Sequence, residues 1–506
     1  MGCAEKLVGC TDMVILDATM LVLQPQTLLV MFLCAIYGLI VGAIPGFTAT
    51  MAVALLVPVT YFLDPVPALA GIVTLAAMAI FAGDIPGALL RMPGTPASAA
   101  YADEAYKMTL KGQAETALGV GLVASALGGA FGALMLIFAA PALAEIALSF
   151  SSFEYFWLAC LGLLAAIAAS TGHPAKGAIS LFIGLGIAMV GLDPVSGQQR
   201  FTFGNTNLIG GLGFIPVLIG LFAVSEALRF ALAPTARAEV PAVSLKNLLA
   251  GVMGHIARLK WSVARGAGIG TVVGAIPGAG ADIAAYVSYA VARRLSPRRE
   301  EFGSGIVDGI ASATAANNAS VGGAFIPATV FGIPGDSLSA VVIGVLYMKG
   351  LNPGPTAFLV HPTLLYAVFV AFLLANILIV PMGFFAIRLF RRILSAPPGV
   401  VMSLVTLACI VGAFAVENTT FAVVVMLGAG LIGFYMEENG IPLAPAILGL
   451  VLGPILEETF LTSLIKSKGS FLGFVERPIA GGLAVVVFSI VIVPLGLRMI
   501  HWMKKK

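Results

Sequence analysis

Four Pro-Gly pairs carry most of the chemistry this chain offers: Pro45-Gly46, Pro93-Gly94, Pro277-Gly278 and Pro334-Gly335, each set in apolar sequence. Proline removes a backbone N–H and glycine tolerates unusual φ/ψ, so each pair predicts a broken helix. A helix that restarts after a break presents free N–H groups and about half a positive charge at its N-terminus. Such an end suits a carboxylate without a buried Lys or Arg. Polar residues follow each break: Thr48 and Thr50; Thr95 and Ser98; Asp282, two residues past Gly280; and Asp336, Ser337 and Ser339. Plain kinks with small residues for close helix packing remain an alternative.

A second polar element is Asn317-Asn318, inside the apolar run Ala313–Ser320. Amides in such surroundings are costly unless they bond something. Their N–H groups can donate to a carboxylate and their carbonyls can ligate Na⁺; a loop cap at an interface is the alternative. Acids in apolar segments are functional candidates, namely Asp84, Asp282, Asp308 and Asp336, with Arg91 placed to pair with Asp84 or to hold substrate charge. The candidate anion site thus comprises the four Pro-Gly pairs with Thr48, Thr50, Thr95, Ser98, Gly280, Asn317, Asn318 and Ser337. Asp84, Asp282 and Asp336 are the candidate cation ligands. Glu437-Glu438 and Glu457-Glu458 read as loop ends. No catalytic machinery is expected: GxxxxGK[ST], HExxH and GxSxG are all missing from the sequence. No metal or organic cofactor is expected either, and the five cysteines show no pairing or metal spacing.

The elements that position these residues must lie in lipid. Hydrophobic residues make up 59% of the 506 and charged residues 10%, with a mean hydropathy of +1.05. Soluble domains carry about 25% charged residues. With spans of about 20 residues, the apolar stretches predict an all-α polytopic membrane protein of roughly 11–13 transmembrane helices. The net charge of +3 is no nucleic-acid signal, because the bases cluster in loops. The N-terminus lacks a standard signal-peptide pattern, with Asp12 and Asp17 interrupting its apolar part.

The chain is built twice. Val-Gly-Ala-Ile-Pro-Gly occurs at Val41–Gly46 and again at Val273–Gly278, an offset of 232. Ile85-Pro86, Met92-Pro93-Gly94 and Ser98-Ala99 recur as Ile326-Pro327, Ile333-Pro334-Gly335 and Ser339-Ala340, at an offset of 241. The second half therefore holds nine extra residues between its motifs. This predicts an N-terminal tail at 1–24, a first membrane repeat at 25–233, a connector at 234–262, a second repeat at 263–477 and an extra C-terminal helix with a basic tail at 478–506. Matching loops differ in charge: Leu63-Asp64-Pro65 carries no base, whereas Arg293-Arg294-Leu295-Ser296-Pro297-Arg298-Arg299 is strongly basic. Short basic loops stay cytoplasmic, so the repeats are expected to be inverted, with the connector and Lys504–Lys506 cytoplasmic. Gly/Pro-broken segments at matching positions of inverted halves are the best sequence pointer to a transporter's binding site.

These motifs resemble those of the large membrane subunit of tripartite tricarboxylate transporters, the TctA family. The resemblance covers nearly the whole chain and rests on Gly42-Ala43-Ile44-Pro45-Gly46 with Leu63-Asp64-Pro65, on Gly83-Asp84-Ile85-Pro86 through Met92-Pro93-Gly94-Thr95-Pro96-Ala97, on Ala315-Ala316-Asn317-Asn318-Ala319, and on Gly332-Ile333-Pro334-Gly335. The family usually has Glu where this chain has Thr314, and often Gly-Gly-Ser-Ile where it has Ala82-Gly83-Asp84-Ile85. The resemblance implies a multi-pass protein of a bacterial inner membrane. It implies import of a di- or tricarboxylate by Na⁺ or H⁺ symport, with a small membrane subunit and a periplasmic solute-binding protein as partners. Moving a trianion into a negative cell costs roughly 7 kcal/mol per 100 mV, which cotransported cations would offset. A passive anion pore is the alternative.

Overall fold

The computed structural model describes residues 13–44, 47–170, 174–193, 196–232, 248–277, 280–393 and 398–490. Helix α1 (Met13–Val22) lies within the stretch read as a tail. The first half continues with α2 (Pro25–Gly42), α3 (Ala49–Tyr61), α4 (Pro65–Ala82), α5 (Asp84–Leu90), α6 (Ala99–Leu110) and α7 (Ala114–Ala147), then α8 (Ser152–Ala169) and α9 (Pro174–Ala188). Strands β1 (Gly191–Leu192) and β2 (Gln199–Arg200) pair antiparallel. Helix α10 (Phe214–Ile219) then passes through a π-helical turn into α11 (Ser225–Leu232). In the second half come α12 (Val252–Gly274), α13 (Gly280–Leu295), α14 (Val307–Phe331), α15 (Ser337–Met348), the single turn α16 (Ala357–Val360), α17 (Pro362–Ile393), α18 (Pro398–Glu417), α19 (Thr420–Glu438) and α20 (Ala444–Lys466). A last helix, α21 (Pro478–Ile490), follows. Helix α12 already starts at Val252, inside the stretch read as a connector.

The protein is an all-α polytopic membrane protein. Among the described residues, seven helices are long and apolar enough to cross a membrane. Phe138, Phe182 and Phe385 are 70%, 68% and 61% exposed, an apolar surface suited to lipid. The elements after the breaks are shorter. Helices α3 and α15 have 13 and 12 residues, so each reaches only about 20 Å at 1.5 Å per residue, less than a bilayer core.

The offsets read from the sequence recur in the packing. Helix α2 lies on α4 and α12 lies on α14, with glycine against backbone at every turn. A Cβ on Gly38 would stand 2.7 Å from the Leu75 carbonyl oxygen, and one on Gly42 would stand 2.4 Å from that of Ala79. In the second half a Cβ on Gly270 would stand 2.3 Å from the Ala316 oxygen, and one on Gly274 would stand 2.3 Å from that of Ser320. Gly38 and Gly42 map to Gly270 and Gly274 by the first offset; Leu75 and Ala79 map to Ala316 and Ser320 by the second. The helix ends repeat as well. Arg91 (φ 60°) and Gly332 (φ 68°) are left-handed C-caps at equivalent positions, and each returns its N–H to a proline carbonyl, Pro86 or Pro327.

Contacts between the halves are reciprocal. Helix α4 packs on α17 and α14 on α7; α3 packs on α15 and α13 on α6. Each contact recurs between the equivalent elements with the halves exchanged, as expected for two units related by a two-fold axis. Most of the nine additional residues fall between α13 and α14, in the 296–306 loop, where the first half has only residues 62–64 between helices. Cys34 packs into α4, its Sγ 2.9 Å from where a Cβ on Gly71 would lie. Like Cys409 it is buried and unpaired.

Close packing makes two of these glycines irreplaceable. Gly42→Ala and Gly274→Ala place a methyl within 2.4 Å of a backbone oxygen and are expected to cost about 1–3 kcal/mol by forcing the helices apart. Gly268→Ala on α12, where nothing lies within 4 Å, is expected to be neutral or stabilising by up to about 1 kcal/mol. Thermal melts of the three purified variants check this.

Candidate functional site

All four Pro-Gly segments interrupt helices: α2 stops at Gly42 and α3 starts at Ala49, α5 stops at Leu90 and α6 starts at Ala99, α12 stops at Gly274 and α13 starts at Gly280, and α14 stops at Phe331 and α15 starts at Ser337. Pro45, Gly46 and Gly278 lie outside the described residues. The two breaks of each half touch one another. A Cβ on Gly94 would stand 2.9 Å from the Gly42 carbonyl oxygen and 2.6 Å from the Gly83 Cα. A Cβ on Gly335 would stand 2.7 Å from the Gly274 oxygen and 2.8 Å from the Ala324 Cα. Only glycine permits this approach, so the four breaks form two matched pairs.

The polar residues after the breaks already have work. Thr48 is the N-cap of α3 and accepts from the Met51 N–H at 3.2 Å. Thr95 and Ser98 form a reciprocal cap at α6: the Thr95 N–H donates to Ser98 Oγ, and the Ser98 N–H donates to Thr95 Oγ1, both at 3.2 Å. Asp336 and Ser339 repeat it at α15, at 2.9 and 2.8 Å. Each cap satisfies one or two of the N–H groups at a helix start; at α6 the Ala99 and Ala100 N–H groups are also taken, by the Pro96 and Ala97 carbonyls. Thr50 sits half-buried in the first turn of α3, and Ser337 likewise in that of α15. Gly280, at φ 56°, lies against the Asp336 Cβ, 2.9 Å from where its own Cβ would be. Pro277 is half-buried, Pro334 buried and Pro93 exposed. Asp282 belongs to α13, but its side chain lies outside the described set.

Asn317 and Asn318 sit in the middle of α14, fully buried, and not in a loop. Asn318 Nδ2 donates to Ser125 Oγ on α7 at 3.0 Å. Asn317 Nδ2 donates to the Tyr101 hydroxyl on α6 at 3.1 Å, and Tyr101 in turn donates to Asp84 Oδ1. Helices α5, α6 and α14, from both halves, are thereby linked by one directed chain of hydrogen bonds. It ends at a carboxylate whose second oxygen, Oδ2, has no partner; Thr314 Oγ1 and Asn317 Oδ1 also have none. Asp84, Ser98, Tyr101 and Thr314 line one small cavity of about 10 Å³, room for a single water-sized occupant.

Several charged residues are placed differently from the sequence expectation. Arg91 does not meet Asp84. As the left-handed cap of α5 it is exposed and pairs with Asp103 at 2.7 Å, and its hydrogen bond holds the Asp103 carboxyl below the usual range. Asp308 pairs with Arg298 at the start of α14. Glu437 and Glu438 close α19 and both pair with Arg229. Glu457 and Glu458 are not loop ends, because α20 runs on through Pro454 to Lys466, and Arg200 pairs with Glu457 from the β-hairpin.

Tyr101 and Glu104 were not singled out in the sequence. Their signal is weak: two polar side chains three residues apart, hence on one face of α6. Glu104, 1% exposed, clasps the inserted loop of the other half. It accepts from the Gly303 N–H, from the Gly305 and Ile306 N–H groups at 2.6 and 3.0 Å, and from the Tyr289 hydroxyl at 2.7 Å. Lys107 and Lys111 donate to the Gly303 and Ser304 carbonyls. At the reciprocal position, Lys349 at the end of α15 donates to the Tyr61 and Leu63 carbonyls beyond α3.

Paired breaks within a bundle of apolar helices define a multi-pass membrane protein with unwound backbone at its core. Residues 28–448 match the family described as the tripartite tricarboxylate transporter TctA family, and the chain belongs to that family, whose members are transporter subunits. It is 33% identical over 473 residues to an uncharacterized 52.8 kDa protein in the TAR-I ttuC' 3' region of Agrobacterium vitis, covering 94% of each chain. It is 32% identical over 228 residues to an uncharacterized protein in the TAR-II ttuC' 3' region of the same organism, covering 44% of this chain and 94% of that one. No solved structure matches.

The Glu104 clasp gives a direct stability test. Glu104→Ala strands four donors and is expected to cost about 2 kcal/mol or more. Asp103→Asn, in an exposed pair, is expected to leave the melting temperature unchanged.

Proposed function

We propose that this chain is the large membrane subunit of a tripartite secondary transporter of a bacterial inner membrane, importing a di- or tricarboxylate by cation symport. A small membrane subunit completes the membrane part, and a periplasmic binding protein delivers the substrate. The observation that carries this reading is the pair of touching breaks in each half. They place helix N-termini in the core of a protein whose family transports tricarboxylates. Backbone can be unwound at that depth only where protein or a water-filled cavity satisfies it, and the uncapped N–H groups there are the natural donors to a carboxylate. Alternating access between two inverted halves would expose the site to each side in turn. The reciprocal contacts between halves and the opposite loop charges support that scheme.

Uptake by the three-part system in vesicles, across a panel of di- and tricarboxylates, tests the reading. Accumulation is expected only with the binding protein and a cation gradient present. Flux without either would favour a passive pore. Asn317→Ala is expected to lower uptake at least tenfold with normal membrane levels, since it removes a buried donor; full uptake would exclude Asn317 from the working site. Cysteines placed at Asp64 and Ser296 are expected to label from opposite sides of the membrane. Labelling from one side would make the repeats parallel.

A further inference from the structure

The chain of hydrogen bonds from Asn317 through Tyr101 to Asp84 leaves three buried oxygens without a donor: Asp84 Oδ2, Thr314 Oγ1 and Asn317 Oδ1. All three can accept, and the Thr314 hydroxyl can also donate. Asp84 and Thr314 line the same one-occupant cavity, and the Asn317 amide is one hydrogen bond away through Tyr101. Asp84 has no cationic partner among the described residues, and Arg91, its nearest base in sequence, is turned to Asp103. A buried carboxylate with one hydrogen bond and no counter-ion is costly, and proteins meet that cost by pairing the charge or binding a cation. A water in the cavity would donate hydrogen bonds but leave the charge unbalanced. A small cation balances the charge and can take both cavity-lining oxygens, because carboxylate and hydroxyl oxygens are hard ligands.

We propose that Asp84 and Thr314 bind one Na⁺ in this cavity, with Tyr101 as the positioning residue that fixes the Asp84 carboxylate and Asn317 holding Tyr101 in turn. The inference deepens the symport reading by naming the coupling ion and its place. The repeat predicts one such site per chain: the equivalents of Asp84, Asn317 and Tyr101 are Phe325, Ala76 and Val342, none of which can ligate a cation. Of the three acids read as cation ligands in the sequence, Asp336 uses Oδ1 on the Ser339 N–H and hydroxyl, which sets it apart from Asp84. The site joins α5 and α6 of one half to α14 of the other, so an occupant would tie the halves together.

The test uses the purified full chain in detergent with no carboxylate and no partner, so its outcome is independent of the transport reading. Thermal melts are recorded against NaCl, with KCl and choline chloride as controls, at pH 8 and pH 6. Tyr101 is the one other titratable group on the cavity walls formed by α4, α5, α6, α7 and α14. A saturable rise in melting temperature with Na⁺ alone is expected at pH 8. Asp84→Asn should abolish it. Thr314→Val should raise the half-saturating Na⁺ concentration roughly tenfold or more while melting normally in KCl, which separates loss of binding from loss of fold, and Tyr101→Phe should raise it likewise. Retention of the Na⁺ response in Asp84→Asn would overturn the proposal. So would a wild-type protein indifferent to Na⁺ but stabilised at pH 6 through Asp84, which would make the occupant a proton.

Discussion

The architecture depends on glycine meeting a backbone carbonyl at the helix breaks. Inside a bilayer, an interrupted helix must find partners for the N–H and C=O groups it exposes, and lipid supplies none. Here each break is closed by the other break of its own half, Gly94 against the Gly42 carbonyl and Gly335 against that of Gly274. The approach leaves no room for a Cβ. It fixes where the helices α3, α6, α13 and α15 restart. Short side-chain caps from Thr48, Thr95 with Ser98, and Asp336 with Ser339 complete the starts. On the proposed function, these caps would support a binding surface made of main chain.

The second organising fact is reciprocity. The same pairs of helices meet across the halves in both directions, and the ends of α6 and α15 each reach the loop after the other half's short helix. A duplicated scaffold of this kind gives two equivalent arrangements to exchange between, which alternating access needs. The polar caps recur at α6 and α15, but the buried network is not duplicated. Asp84, Tyr101 and Asn317 occur on one set of positions and are replaced by Phe325, Val342 and Ala76 on the other. Symmetry thus belongs to the packing, and asymmetry belongs to the chemistry. Glu104 adds to the asymmetry by holding a loop that only the second half possesses.

Much of this was legible in the residues. Two offsets, 232 and 241, located the breaks and the insertion, because helix interruption and close packing follow from Gly and Pro alone. The polar residues were harder to read. Thr95, Ser98 and Asp336 have the composition of ligands and act as caps, since a short polar side chain after a break serves either purpose. Arg91 was matched to Asp84 by charge, but its left-handed backbone at φ 60° carries it to the surface. Glu457 followed a Gly-Pro pair that normally ends a helix, yet α20 continues through it. Tyr101, the centre of the buried network, gave almost no signal, because its role depends on a helix 216 residues away in sequence.

The most direct test is a map of the transporter with a carboxylate bound. The account predicts carboxylate oxygens within hydrogen-bonding distance, about 2.7–3.2 Å, of main-chain N–H groups at the starts of α3, α6, α13 or α15. A carboxylate held only by side chains and remote from both pairs of breaks would contradict it.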